Sequence, residues 1–177
     1  MTDTLEHGFH FRLMALMYRF RDIYAPRKAV LKETGISEGF HVLDYGCGPG
    51  SYIGPLAERV GPSGMIYALD MHPLAIQMVE RIVGKRKLTN VKTIHSAGET
   101  GLPDQSLDGA LLYDVFHDLD QPEKVLKELH RVLKPDGLLS FSDHHLGEPE
   151  IVSGLTKERL FRLAEKGRKT YSFHKID

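Results

Sequence analysis

The chain has 177 residues, of which 41% are hydrophobic and 27% charged, a balance that is typical of one globular domain and excludes a disordered chain or a disulfide scaffold. Its formal net charge of −1 provides no global basic field, which disfavours nucleic acid and anionic membranes as partners. A single cysteine, Cys47, and the lack of an apolar run long enough for a signal peptide or a membrane span predict a cytoplasmic protein.

The first 38 residues are predicted to form a helical appendage. Apolar residues recur every three or four positions within residues 11–20, which is the period of a helix with one buried stripe. A second short helix is predicted to begin near Pro26, which suits a first helical turn, and to run to Gly35, which suits a C-terminal stop.

From Gly39 onward, short apolar runs alternate with helical periodicity. This alternation predicts strands joined by crossover helices in a mainly parallel sheet, so that residues 39–177 form the core of a single domain. The predicted strands cover residues 41–46, 65–70, 91–96, 107–115 and 137–143, and the predicted helices cover residues 51–60, 73–83 and 122–133. Residues 159–166 and 169–175 predict a closing hairpin, and therefore antiparallel pairing at one edge.

A glycine-rich loop follows the first predicted strand. Gly46, Gly48 and Gly50 alternate between an apolar strand and a predicted helix. Glycines let the backbone turn sharply, and they let a ligand lie against main-chain N–H groups at a helix N-terminus. A plain tight turn would also explain the loop, so the loop alone does not establish a ligand site.

Asp70 closes the next predicted strand and favours the ligand site. An acidic group at this position can accept hydrogen bonds from the two hydroxyls of a ribose. By itself Asp70 could instead cap the helix that is predicted to begin at Pro73. Taken with the glycine loop, it indicates an adenosine-containing ligand at the carboxyl ends of neighbouring strands.

The spacing of the loop decides between two classes of ligand. A dinucleotide fingerprint G-x-G-x-x-G that starts at Gly46 requires Gly or Ala where this chain has Ser51. This mismatch disfavours a nicotinamide-dependent oxidoreductase. The arrangement Asp44-x-Gly46-x-Gly48-x-Gly50 instead resembles motif I of the class I S-adenosylmethionine-dependent methyltransferases, in which D/E-x-G-x-G-x-G follows a hydrophobic strand.

Two later segments extend this resemblance over roughly residues 39–175. LPDQSLD (102–108) resembles the segment that enters the family's fourth strand, and LKELHRVLKPDG (126–137) resembles its L-x-E-x-x-R-V-L-K-P-G-G segment. The likeness is to small-molecule, methyltransferase-11-like members. It implies an α/β fold, with a Rossmann-like, seven-stranded, mostly parallel sheet in the order 3-2-1-4-5-7-6, strand 7 antiparallel and helices on both faces.

The resemblance also implies S-adenosylmethionine as the cofactor. In the family, the loop at residues 46–50 meets the aminocarboxypropyl end of the cofactor, and Asp44 lies near its amino group. Asp70 would bind the ribose hydroxyls, and Met71 would pack on the adenine. The main chain around Tyr113 would approach the methionine moiety.

The adenine amino group is met in the family by an acidic residue of a G-D-A-like segment after strand three. The corresponding segment here reads Ala97-Gly98-Glu99. Gly98 and Glu99 are therefore the candidates for this contact, with the acidic residue displaced by one position.

Polar side chains after strands four and five are expected at the acceptor end of the site, because both strands end at the carboxyl edge of the sheet. They are Asp114, His117 and Asp118 after strand four, and Asp143, His144 and His145 after strand five. These groups could serve as loop and helix caps, with Asp120 or Gln121 capping the helix at Pro122. His117 is the candidate for a general base; a metal site is a third reading, and spacing alone predicts none.

The sequence therefore predicts an S-adenosylmethionine-dependent methyltransferase that transfers a methyl group to a small-molecule acceptor by in-line displacement. A non-catalytic S-adenosylmethionine-binding sensor or partner subunit is the alternative, because the loop and Asp70 support binding without establishing turnover. Neither a membrane nor nucleic acid is expected as a partner. The sequence indicates neither the acceptor nor the oligomeric state.

Overall fold

The computed structural model describes residues 27–176, and its centre is a seven-stranded sheet. The strands are β1 (His41–Tyr45), β2 (Met65–Asp70), β3 (Val91–His95), β4 (Leu107–Tyr113), β5 (Leu133–Ser142), β6 (Phe161–Lys166) and β7 (Tyr171–Lys175). They lie in the order β3-β2-β1-β4-β5-β7-β6. Strands β1 to β5 are parallel, and β7 is antiparallel to both neighbours. The predicted strand order and the antiparallel strand 7 are confirmed.

Helices cover both faces of the sheet, as predicted. Within the described residues they are α1 (Arg27–Leu31), α2 (Ile53–Val60), α3 (Pro73–Arg86), α4 (Pro122–Val132) and α5 (Glu148–Thr156), with a 3₁₀ turn at Phe116–Asp118. Helices α1 to α3 contribute Leu31, Ile53 and Val79 to one apolar cluster. Helices α4 and α5 contribute Leu129 and Ile151 to a second cluster on the opposite face.

The central strands are apolar on successive residues because helices cover them on both sides. In β4, the run from Gly109 to Tyr113 is buried at every position, which is the pattern of a parallel strand with two covered faces. Strand β1 is likewise buried from Val42 to Tyr45. The carboxyl ends of these two adjacent strands therefore carry the loops that can reach solvent.

Helix α4 ends earlier than predicted, and β5 begins irregularly. The helix buries a single stripe that includes Val125 and Leu129 and stops at Val132. Strand β5 then pairs Leu133 with β4 and shifts register over the next residues before Leu138 pairs again. Pro135 therefore lies in this irregular segment and does not itself end the helix.

Helix α5 was not predicted from the sequence. Its nine residues bury only Ile151 and Leu155, so the apolar stripe is too short to give a clear helical period. Gly154 in its interior weakens the signal further. The local signal lies at the start, where Glu150 Oε2 accepts a hydrogen bond from the Gly147 N–H at 2.7 Å.

The terminal hairpin forms with a wider turn than predicted. Residues 167–170 make the turn, and the N–H of Gly167 donates to the carbonyl of Thr170 at 2.8 Å. The helix predicted at residues 11–20 lies outside the described residues. Within residues 27–176, no helix combines the length and the apolar character that a membrane crossing requires.

The hairpin supplies a matched pair of substitutions that tests its share in the core. Phe173 is fully buried, whereas its register partner Leu163 is 37% exposed. Phe173→Ala should lower the free energy of unfolding by about 3–5 kcal/mol, because it removes a large buried ring. Leu163→Ala should change it by less than about 1 kcal/mol. Urea unfolding of both variants measures the difference, and equal losses would contradict the packing of the hairpin described here.

Candidate active site

The loop after β1 is fixed to the end of β2 by hydrogen bonds. The N–H groups of Gly46 and Cys47 both donate to the Leu69 carbonyl oxygen, at 2.8 and 2.9 Å. The N–H of Gly48 donates to Oδ2 of Asp70 at 2.9 Å. The loop and the carboxyl ends of these two strands therefore form one rigid unit.

The three glycines of this loop share a left-handed backbone but differ in their surroundings. Their φ angles are +73° at Gly46, +51° at Gly48 and +83° at Gly50. A Cβ at Gly46 would lie 2.8 Å from Val115 Cγ2, and a Cβ at Gly50 would lie 2.8 Å from Ile82 Cδ1. No atom of residues 27–176 beyond its chain neighbours lies within 4 Å of the corresponding position at Gly48. The protein thus packs against two glycines and leaves space over the middle one.

Asp44, on the strand that leads into this loop, is a buried acid with an unused acceptor. The residue is 2% exposed, and its Oδ2 has no hydrogen-bond partner within residues 27–176. Burial, together with the charge of Asp70, raises the pKa of Asp44 to about 7. A buried acceptor without a partner is costly, so this oxygen is suited to meet a donor from a ligand.

The neighbouring thiol is not suited to nucleophilic chemistry. Cys47 is buried, and burial together with the charges of Asp44 and Asp70 raises its thiol pKa. A reactive cysteine requires a lowered pKa, because the thiolate is the nucleophile. Cys47 therefore serves the loop as a small apolar residue.

Asp70 fixes the main chain of both the glycine loop and the start of α3. Besides the loop, it accepts a hydrogen bond from the His72 N–H to Oδ1 at 2.8 Å. The cap of α3 is His72, whose Nδ1 accepts from the Leu74 N–H at 3.1 Å; the helix-cap reading of Asp70 is therefore wrong. Each carboxylate oxygen retains a further acceptor position. Met71 follows directly and is 69% exposed, an apolar side chain beside a polar anchor.

The segment after β3 is held from two directions. Tyr45 donates its hydroxyl to the Gly98 carbonyl at 3.4 Å. Thr100 donates its N–H and its hydroxyl to Oε1 of Glu128 at 2.9 and 2.6 Å. Glu99, between these anchors, is exposed. Gly98 and Glu99 thus sit on a fixed loop, and their contact with an adenine stays a prediction.

Glu128, on α4, forms a bidentate ion pair with Arg131. Arg131 donates from Nε and Nη2 to the two carboxylate oxygens of Glu128 at 2.9 and 2.8 Å, and from Nη1 to the Leu102 carbonyl at 2.9 Å. The Arg131 hydrogen bonds, assisted by those from Thr100, lower the pKa of Glu128 to about 2 against the opposing effect of burial. The sequence analysis did not find this role, although both residues lie in the quoted L-x-E-x-x-R segment at an i, i+3 spacing.

The Tyr113 side chain points into the core. Its hydroxyl lies 2.7 Å from Oγ of Ser140, and its ring packs edge-on against Tyr52 at a centroid distance of 5.0 Å. Burial raises the pKa of Tyr113 well above its ordinary value, so the phenol is not a base. Its main chain ends β4, and an approach of this main chain to a ligand stays a prediction.

His117 and Asp143 come together from the loops after β4 and β5. His117 Nδ1 lies 2.8 Å from Asp143 Oδ2, and the His117 N–H donates to the same oxygen at 3.2 Å. The His145 N–H donates to Oδ1 at 3.0 Å. Burial alone would raise the pKa of Asp143, but the hydrogen bonds from His117 and His145 outweigh it and hold the pKa below its usual value. Asp143 is therefore a buried carboxylate that stays ionised.

A second pair lies beside the first and is more exposed. His144 Nδ1 is 2.8 Å from Asp114 Oδ1, and the His144 side chain is 62% exposed. Among the side chains that the structure describes, ligand atoms of Asp114, Asp143 and His144 lie within 4.8 Å of one another. Asp114 and Asp143 already accept hydrogen bonds. The expected absence of a metal stays a prediction.

The alternative prediction, that the polar side chains after β4 and β5 serve as caps, is confirmed in part. Asp143 does fix the main chain of its loop, as described above. Gln121 occupies the N-cap position of α4 but makes no side-chain cap hydrogen bond. Capping therefore explains the carboxylate of Asp143 and does not explain the imidazole of His117.

Comparison with known proteins places this geometry among methyltransferases. Residues 36–175 match a family model described as a methyltransferase domain. The chain is 35% identical over 130 residues to demethylmenaquinone methyltransferase of Geobacillus stearothermophilus, which covers 73% of this chain and 56% of that protein. It is 33% identical over 153 residues to the enzyme of the same name from Listeria welshimeri, which covers 81% and 65%. The chain thus spans little more than half the length of these curated relatives.

A solved structure agrees over most of both chains. The crystal structure of an S-adenosylmethionine-dependent methyltransferase from Aquifex aeolicus superposes with a TM-score of 0.74 at 30% sequence identity. The match covers 85% of this chain and 88% of that one. Fold and sequence therefore agree.

The Glu128 anchor predicts a pH-dependent contribution to stability. A carboxylate whose pKa falls on folding stabilises the fold above its unfolded pKa and loses this effect as the pH drops through the folded value. For Glu128 the window runs from the ordinary value of 4.5 down to about 2. Glu128→Gln should lower the free energy of unfolding at pH 7 by about 1–3 kcal/mol. The gap to the wild type should narrow between pH 4.5 and 2.

Urea unfolding at several pH values in this range measures the gap. Glu158→Gln, at an exposed position, is the control and should shift stability by less than about 0.5 kcal/mol. A gap between wild type and Glu128→Gln that stays constant down to pH 2 would contradict the anchor.

Proposed function

Since this chain belongs to the class I S-adenosylmethionine-dependent methyltransferases, we propose that it transfers the methyl group of S-adenosylmethionine to a small-molecule acceptor. The observation that carries the proposal is the buried Oδ2 of Asp44, which has no partner within residues 27–176. It lies on the strand that enters a loop with open space at Gly48. This pairing of an unused acceptor with an open main-chain surface fits the amino-acid end of the cofactor.

The two ends of the cofactor would be held by different kinds of contact. Asp44 would accept a hydrogen bond from the α-ammonium group, which supplies the partner that its Oδ2 lacks. The loop around Gly48 would lie against the aminocarboxypropyl chain. The main chain at Tyr113 would flank the methionine moiety from the neighbouring strand β4, whose Leu112 pairs with Tyr45.

The nucleoside end would be held from β2 and β3. Asp70 would accept both ribose hydroxyls with the acceptor positions left after its two main-chain hydrogen bonds. Met71, which is exposed, would pack on the face of the adenine. Gly98 and Glu99 would meet its edge, on the loop that Thr100 ties to Glu128.

When bound, S-adenosylmethionine supplies a methyl group on a cationic sulfur that a nucleophile can displace in line. The contribution of the chain is to fix the geometry of this displacement. A loop tied to β2 and packed against Val115 permits little movement. Fixing two reactants in line supplies on the order of 7–11 kcal/mol of the barrier reduction.

A small acceptor in the cytoplasm is part of the same proposal. The polar side chains after β4 and β5, among them the His117–Asp143 and His144–Asp114 pairs, would meet this acceptor. A single cysteine, Cys47, suits a reducing compartment. Demethylmenaquinone, which the relatives' name gives as their acceptor, is the first compound to test in its reduced form.

Two measurements test binding and turnover separately. Isothermal titration with S-adenosylmethionine and S-adenosylhomocysteine should give saturable heats for both. Methyl-labelled S-adenosylmethionine should then transfer label to reduced demethylmenaquinone or to a compound in a protein-free cell extract, read by mass spectrometry. Heats without any label transfer would favour the sensor or partner-subunit reading. No heat with either ligand would contradict the proposal.

Gly48→Ala should weaken binding of both ligands by about tenfold or more, because the added methyl group occupies the space that the ligand needs. Gly39→Ala is the matched control. Its φ is +82°, and within the described part of the chain the added Cβ would meet Ser63 Oγ at 3.7 Å. It carries the same left-handed cost of about 1–2 kcal/mol but lies before β1, at the opposite edge of the sheet. Calorimetry should show Gly39→Ala within twofold of the wild type; equal losses would remove the loop from the binding site.

The buried Asp44 predicts pH-dependent affinity. A raised pKa of about 7 means that the free protein holds a proton on Asp44 at pH 6, and a cationic ligand must displace it. Affinity for S-adenosylmethionine should therefore rise about eightfold from pH 6.0 to pH 7.5. Asp44→Asn should bind more weakly and lose this rise. The ratio of the two affinities at each pH cancels titration of the ligand itself, and parallel curves would contradict the contact.

A further inference from the structure

We propose that His117 is the general base of this site, that Asp143 positions it, and that the acceptor therefore reacts through a hydroxyl group. The inference rests on the proposed methyl transfer and adds the chemical class of the acceptor. It is carried by the hydrogen bonds around one buried carboxylate and by the place of this pair beside the glycine loop.

The carboxylate determines which nitrogen of His117 carries a proton. Asp143 has a fully buried side chain and stays ionised, so it can only accept hydrogen bonds. The His117 Nδ1, 2.8 Å from Asp143 Oδ2, must then be the donor. In the neutral imidazole the other nitrogen, Nε2, is left as the acceptor. The His117 side chain retains 20% exposure.

The main chain holds this pair firmly. Asp143 also accepts hydrogen bonds from the N–H groups of His117 and His145, at 3.2 and 3.0 Å. These bonds engage both of its oxygens and fix the carboxylate within its loop. The imidazole is therefore oriented by a group that is itself fixed, as a positioned base requires.

The pair lies next to the loop that is proposed to hold the reacting end of the cofactor. Val115 packs on this loop, since its Cγ2 is 2.8 Å from where a Cβ of Gly46 would be. His117 follows two residues later, in the 3₁₀ turn Phe116–Asp118. The structure thus brings a base and the methionine end of the site to the carboxyl ends of adjacent strands.

Several other groups face the imidazole. Asp118 Oδ2 lies 3.4 Å from His117 Nε2, but the Asp118 side chain is 78% exposed and can yield this position to an acceptor. The His145 ring lies 4.1 Å from the His117 ring, and the His144 ring lies at 6.3 Å. Asp114 is hydrogen-bonded to His144. Among the described residues 27–176, the exposed carboxylate of Asp118 is the group that an acceptor would displace from Nε2.

A positioned base selects the class of acceptor. Thiolates and neutral amines can attack without a base, whereas a phenol or enol hydroxyl must lose its proton. As the oxygen attacks, the O–C bond to the methyl group forms and the C–S bond breaks, with its electron pair going to sulfur. The hydroxyl proton passes to Nε2 of His117. The products are a methyl ether, S-adenosylhomocysteine and a protonated His117, which returns its proton to water.

The tautomer of His117 tests the proposal without an acceptor. In protein labelled with ¹⁵N-histidine and saturated with S-adenosylhomocysteine, the His117 signals are assigned by their loss in His117→Gln. At pH 8 they should report a neutral ring protonated at Nδ1, and Asp143→Asn should change this pattern. A ring protonated at Nε2, or one that remains an imidazolium at pH 8, would overturn the proposal. Because an altered tautomer reports position rather than folding, a purely structural role for Asp143 would leave it unchanged.

Kinetics with the acceptor found by label transfer complete the test. His117→Gln should lower kcat about 100-fold and leave the affinity for S-adenosylmethionine within twofold. Asp143→Asn should lower kcat in the same direction. His174→Gln, whose residue pairs with Leu138 of β5 in the terminal hairpin, is the control and should keep wild-type kcat.

Four results would overturn the base while leaving the methyltransferase proposal intact. Three are an unchanged kcat in His117→Gln, a larger loss in His145→Gln than in His117→Gln, and a labelled methyl group on sulfur, nitrogen or carbon. The fourth is a kcat abolished by a chelator and restored by a divalent metal, which would favour metal activation. Failure of the proposed function itself would look different, since calorimetry would then show no binding of S-adenosylhomocysteine.

Discussion

The candidate site depends on one carboxylate. Strand β2 runs one residue past its last pairing with β1, at Tyr45 and Leu69, so Asp70 lies opposite the point where the chain turns. Its two oxygens accept from the N–H groups of Gly48 and His72, which joins the glycine loop to the start of α3. The glycine loop has three residues with left-handed φ and few hydrogen bonds within itself. The hydrogen bond from Gly48 to Asp70 therefore fixes its shape. The same anchor presents a carboxylate to whatever lies over the loop.

The burial of Asp44 lowers the stability of the folded state. Its folded pKa of about 7 exceeds the ordinary value of 3.8. Between these values the folded state binds more protons than the unfolded state, so this residue lowers stability as the pH rises from about 4 to about 7. A buried acceptor without a partner adds a desolvation cost of about 1–3 kcal/mol. Such a cost is expected where a residue serves a ligand rather than the core.

Much of this fold could be predicted from the sequence, because its signals are local. Apolar runs gave the five parallel strands, the stripe on α4 gave that helix, and the family resemblance gave the strand order. Helix α5 escaped because Ile151 and Leu155 make too short a stripe. The irregular start of β5 escaped because Pro135 is an equally good signal for the end of a helix.

For the site too, features with a local sequence pattern could be predicted and contacts between distant residues could not. Motif I and Asp70 lie in short segments with a recognisable pattern, so their place could be predicted. Glu128 with Thr100, and His117 with Asp143, are 28 and 26 residues apart in the chain. No spacing rule links them, because each contact depends on how a helix or a loop is positioned over the sheet. The sequence could therefore predict that these polar groups share an edge but not which of them would touch.

The candidate site has two halves that are formed by different chemical groups. This difference explains what each half can recognise. The β1 to β3 half is formed by main-chain groups, Asp44 and Asp70, and it suits a single ligand whose shape does not vary. The β4 to β5 half is formed by imidazoles and carboxylates on short loops, of which only Asp143 has a fully buried side chain. These loops lie outside the strand pairing, so under the proposed function the acceptor half can vary while the cofactor half stays fixed. Under the same proposal, the imidazole that the buried carboxylate holds selects the acceptor class, and in this chain that imidazole is His117.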